Sequence, residues 1–229
     1  MSHYGLFLCL PPWAGKNWRE AADLAMEPFR IDDETGRGEC DYWHSSGGFW
    51  VRPECVDDPL IVPSSTEWPG DPLRCDGGPK RTLDLAGMRS AAVATGREVW
   101  AAWQDAVRRH PPALPFDRLR PRYSDPAAAW DAFQAQPLVR EFDARHADEA
   151  TCSTPCGPTP PRTWSRGSVT TRSASSIARA EWAVTTYAFI STDGRWFDAE
   201  TTPGYRSLLR TYLDDLPDEA FLIALDCHS

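Results

Sequence analysis

A chain of 229 residues, 41 % hydrophobic and 11 % aromatic with eleven tryptophans, holds enough apolar material for a folded core, which argues against disorder of the whole chain. Its formal charge of −9 argues against a sequence-independent nucleic-acid binder, which needs a basic face over the phosphates. The longest apolar run, residues 220–225, falls far short of the roughly 20 residues of a membrane helix.

No basic-then-apolar leader opens the chain, and the seven cysteines are odd in number and irregularly spaced. The expectation is a cytoplasmic protein with reduced thiols and no membrane partner. Within the acidic balance, Arg162, Arg166, Arg172 and Arg179 cluster in one stretch and leave room for a local basic patch.

Residues 4–10 (YGLFLCL) form a short apolar run ended by Pro11-Pro12 and read as a buried strand. Asn17 and Glu20 have the spacing of a capping box, and Trp18, Ala21, Ala22, Leu24, Ala25 and Phe29 follow at helical period. Residues 39–44 and 49–51 read as extended around a Ser-Ser-Gly-Gly break, with a further short strand at 60–62. The proline- and glycine-rich stretch 63–81 reads as a loop.

Residues 84–110 carry the longest helical pattern, ended by Pro111-Pro112. A second helix spans 126–145, capped by Asp125 and kinked or split at Pro137. Residues 148–180 read as a long excursion. The next strand, within 182–190, meets a returning strand at 195–197 across an Asp193-Gly194 hairpin turn. A helix opened by Thr202-Pro203 and a buried strand over 221–225 complete the chain.

Without residues 63–180 the order is strand, helix, strand, strand, helix, strand. That is a ferredoxin-like βαββαβ pattern of the α+β class, an antiparallel sheet with a large, mainly helical insertion between its two middle strands. The expected organisation is a single domain over 1–229. Residues 1–62 and 181–229 are its sheet-forming halves, and 63–180 is the helical and loop insertion. Each half holds a Gly-x-Trp element, Gly48-Phe49-Trp50 and Gly194-Arg195-Trp196, which hints at internal duplication.

Two segments carry the candidate chemistry. In the first, Tyr42, Trp43, His44, Gly47, Gly48 and Trp50 combine rings able to stack on a flat ligand with glycines able to admit a close backbone approach. The plainer reading is a hairpin or bulge whose rings fill the core. In the second, strand alternation places Asp226 and His228 on one face and Cys227 on the other. Asp226 can orient His228 as a base, and Cys227 is a nucleophile only where a base lowers its pKa. The plainer reading is a strand end whose polar atoms satisfy loop backbone.

Arg195 is the candidate anion anchor and Trp196 a further ligand-binding ring. Cys152-x3-Cys156 lies within broad zinc spacing, with Cys40, Cys55, Cys75 and His146 as further donors, but it is a single pair. No metal and no cofactor is expected, and no phosphate-loop or dinucleotide fingerprint occurs.

Together these residues resemble a group of uncharacterised proteins of actinobacteria and their phages. The matching residues are Tyr42, Trp43, Gly47, Gly48 and Trp50; Met88 and Arg89; Phe133, Gln136 and Pro137; Asp193, Gly194 and Trp196; and the Asp226-Cys227-His228 ending. Phe49 stands where the group usually has Arg, which removes a cationic anchor. The resemblance implies a phage or mobile-element context and no defined activity.

Two functions follow as expectations. One is a small-molecule or nucleotide-type pocket between the Gly-Gly-x-Trp segment and the Asp-Cys-His ending, with a Cys/His-dependent hydrolase as one form of it. The other is a non-enzymatic acidic protein that binds a host protein through Trp and Tyr anchors.

Overall fold

The computed structural model describes residues 3–32, 34–65, 69–146 and 184–229. The Cys152/Cys156 pair and the arginines between 162 and 179 lie outside them. Among the described residues eight strands occur, in the order β1 (His3–Leu10), β2 (Tyr42–Ser45), β3 (Phe49–Trp50), β4 (Val62–Pro63), β5 (Arg74–Pro79), β6 (Ala188–Ile190), β7 (Trp196–Asp198) and β8 (Phe221–His228). The α-helices among the described residues are α1 (Trp18–Met26), α2 (Leu85–Arg109), α3 (Phe116–Leu119), α4 (Pro126–Gln134), α5 (Pro137–His146) and α6 (Tyr205–Asp215). Contacts group into two compact units, residues 3–88 with 184–229, and residues 89–146.

The first unit is a mixed sheet centred on β8 and β1. These run antiparallel through eight pairs, from His3 opposite His228 to Leu10 opposite Phe221. The end of the chain thus returns beside its beginning. β1 pairs in parallel with β6, and β6 with β7 across the hairpin whose Gly194 takes φ +79°. The other edge of β8 is shared: β2 pairs with residues 225–228 and β5 with residues 221–223. At the handover the Ala224 carbonyl accepts from the Ser46 N–H (3.0 Å). β3 and β4 pair with β5.

Both faces of the central strands are apolar because both are covered. On one face Phe7, Leu222 and Ala224 pack with Tyr205, Leu209 and Leu213 of α6. On the other, Leu6, Leu8, Ile223 and Leu225 pack with Ala22 and Met26 of α1. The sheet is therefore mixed and lies between helices. The parallel β1–β6 pair and the opposite placing of α1 and α6 both depart from an antiparallel ferredoxin-like sheet. Apolar alternation along β1 and β8 fixes which faces are buried, but not which neighbour supplies the cover or in which direction it runs.

Residues 63–81 are not all loop, since β5 and part of β4 lie within them. Gly77 runs so close to β8 that a Cβ there would lie 2.3 Å from the Leu222 carbonyl oxygen. The sheet is extended by a backbone contact that only glycine permits. Asn17 precedes α1 as expected but makes no side-chain capping bond. Asp125 does cap α4, accepting from Ala127 N–H, and Pro137 opens a separate helix.

In the second unit Ala106 of α2 packs with Leu138 of α5, and Leu119, Phe133 and Val139 form a second apolar cluster with Phe116 and Trp130. Glu141 ties α5 to the end of α2 through His110 and through Arg109 Nη2 (2.5 Å).

Candidate functional site

β8 stays apolar through Leu225 and then turns polar. Alternation puts Asp226 and His228 on the α6 side of the sheet, with Leu222 and Ala224. The β2–β8 register sets Tyr42 opposite His228 and His44 opposite Asp226, so these four share that face. His3 enters from β1, opposite His228.

The contacts form two carboxylate–imidazole groups. Asp226 Oδ2 lies 3.1 Å from His3 Nδ1 and 3.9 Å from His44 Nε2. Asp41 Oδ1 lies 2.7 Å from His228 Nδ1, and the Asp41 N–H donates to the His228 carbonyl (3.0 Å). The His3 and His228 rings meet edge to face at 5.1 Å, which joins the two groups, and the Tyr42 ring sits 5.8 Å from that of His44. Side-chain exposure runs from 19 % for His228 to 61 % for His3, so this is an open patch on the sheet and not a sealed cavity.

The hydrogen bond from His228 holds the Asp41 carboxyl below its ordinary pKa. With Nδ1 engaged by Asp41, Nε2 is the His228 nitrogen left for a further partner, the arrangement of an oriented base. His44 Nδ1 is buried and has no hydrogen-bond partner. Among the described residues no group of three or more His, Cys, Asp or Glu is arranged to hold a metal ion. No described helix is long and apolar enough to cross a membrane.

Other predicted residues lie elsewhere. Cys227 points to the α1 side, is fully buried, and has its thiol pKa raised by the hydrogen bond with Cys40 and by burial. Such a thiol is not a ready nucleophile. Trp43 also faces α1, where its Nε1 donates to Asp23 (3.2 Å) and Arg30 lies 5.4 Å from its ring. Trp50 packs beneath Arg74, 4.8 Å away, against the α6-side core.

Gly47 and Gly48 carry the chain from β2 to β3, Gly48 N–H bonding the Cys75 carbonyl (3.2 Å), and neither takes a positive φ. Arg195 and Trp196 are separated from β8 by β6 and β1, about 14 Å at the usual strand spacing. Arg195 covers Phe197 (5.2 Å), while Trp196 packs on Phe29 (5.0 Å). The two Gly-x-Trp elements therefore do not meet.

Sequence reasoning gave Tyr42, His44, Asp226 and His228, and gave no role to His3 or Asp41. The spacing signal was present, with polar residues at 42 and 44 to match 226 and 228. His3 and Asp41 become visible only once the register is known. The fold and this patch together define a mixed α+β protein with a carboxylate–imidazole cluster at the polar end of its central strand. No known protein family, curated protein or solved structure matches the chain.

Proposed function

We propose that the open end of the β1–β8–β2 face binds a small polar molecule, with Asp41–His228 as its acid–base pair. The supporting observation is the 2.7 Å contact between Asp41 and His228 Nδ1, which leaves Nε2 to the ligand. Asp226 holds His3 and His44 beside it, and Tyr42 offers an exposed ring for a flat ligand. Removal of a proton from a hydroxyl or a water is the step such a pair performs. Cys227 has no part in it.

The test is a thermal-shift screen with nucleotides and sugars. A ligand present at 100 times its Kd stabilises the fold by about 2.7 kcal/mol. The expected outcome is a raised melting temperature that Asp226→Asn and His228→Gln both abolish. Equal shifts in the variants, or none in the natural chain, would sink the reading.

A second reading, a binder of a host protein, is supported by two exposed apolar side chains, Trp13 before α1 and Leu24 within it, each 73 % exposed. Loss of a captured host protein in Trp13→Ala, with binding kept in Asp226→Asn, is the outcome that would favour it. The phage or mobile-element context belongs to this proposal and is carried by the motif resemblance.

A further inference from the structure

Behind the polar patch, on the α1 side of the sheet, two cysteines lie together. Cys40 and Cys227 are both fully buried in the same apolar cluster, whereas Cys9 and Cys75 belong to the cluster on the opposite face. Each immediately precedes one member of the Asp41–His228 pair, and the Asp41 N–H to His228 carbonyl bond ties the two backbones at that point. Tyr4 brackets both cysteines: it stands opposite Cys227 in the β1–β8 register, and its hydroxyl donates to the Glu39 carbonyl (2.7 Å).

We propose that Cys40 and Cys227 are a redox pair that closes to a disulfide on exposure to a hydroperoxide and reopens with a dithiol. The two thiols influence each other: the neighbouring Cys227 is the main cause that draws the Cys40 pKa down, Cys40 and burial raise that of Cys227, and the Cys40 thiol donates to the Phe29 carbonyl (3.8 Å). Burial raises Cys9 and Cys75, and no thiol neighbour contributes to either.

A thiol that deprotonates more readily beside one that stays protonated is the arrangement that oxidation to a disulfide uses. The Cys40 thiolate attacks a peroxide oxygen. The O–O bond breaks, water or an alcohol leaves, and Cys40 becomes a sulfenic acid. The Cys227 sulfur then displaces that hydroxyl as water, its own proton leaving with it. Two thiols and one peroxide become one disulfide and, for hydrogen peroxide, two waters. The bridge would fasten the segment before β2 to β8 beside the Asp41–His228 pair. It stands independently of any ligand at the patch.

The test uses the full, reduced chain treated with hydrogen peroxide, alkylated and digested with trypsin. Trypsin leaves the Arg52–Pro53 bond intact, so a glutamate-specific protease follows it, and residues 40–54 and 220–229 are then two peptides with one cysteine each, Cys40 and Cys227. The expected result is a peptide joining them, two hydrogens lighter than their sum and lost on treatment with dithiothreitol. Its yield should collapse when the same oxidation is run in urea, where proximity is lost. Both cysteines recovered alkylated, Cys40 joined to a different cysteine, or an equal yield from the unfolded chain would each overturn the proposal. No substituted protein is needed, so a folding defect cannot mask the answer.

Discussion

Asp41 holds its position through one imidazole and one backbone carbonyl, and its carboxyl pKa lies below the usual range because of His228. A carboxyl lowered on folding stabilises the native chain above its unfolded value, about 3.9, and that stabilisation is lost as pH falls through the lower native value. Asp41→Asn should therefore lower the urea midpoint near neutral pH, and its difference from the natural chain should shrink steadily below about pH 4. A difference that stays constant into acid would show that the pair contributes nothing. Alternation along residues 226–228 was enough to separate Cys227 from its neighbours before any coordinates. Asp41 was hidden, because its partner is 187 residues away in sequence and only strand pairing brings the two together.

The least legible element was β5, whose sequence Arg-Cys-Asp-Gly-Gly-Pro lacks the β-branched residues of a strand. It pairs because Gly77 and Gly78 let its backbone lie against β8, and propensity carries no record of that. Gly77→Ala would force a methyl onto the Leu222 carbonyl, and the expected loss is about 1–3 kcal/mol in urea unfolding. An unchanged midpoint would mean that β5 shifts freely. The helix α6 was read from the Thr202-Pro203 opening, but not its face of the sheet. Leu209 is wholly buried there, and Leu209→Ala should cost about 2–5 kcal/mol. Met26→Ala on the α1 side should cost a similar amount, and the two losses should add, since the side chains share no cluster.

Across the molecule, the order of strands and helices was readable apart from β5 and α3, while the sheet's connectivity was not. A parallel β1–β6 pair and an antiparallel one satisfy the same apolar pattern, so only long-range pairing decides between them. Among the described residues, the core clusters of the sheet unit are drawn from 4–88 and 184–227, and those of the second unit from 100–139. Residues 1–88 joined to 184–229 by a glycine–serine linker are therefore expected to unfold in one cooperative urea transition. A broad, gradual loss of signal would show that the sheet depends on the excised residues.

The β1–β8 ladder has a further consequence. Its eight pairs, with the three of β1–β6, join polypeptide from opposite sides of residues 147–183. A peptide bond broken in that interval interrupts none of them. Two separately expressed pieces, 1–146 and 184–229, should find each other on mixing, and reporter halves fused at the cut would record that reunion.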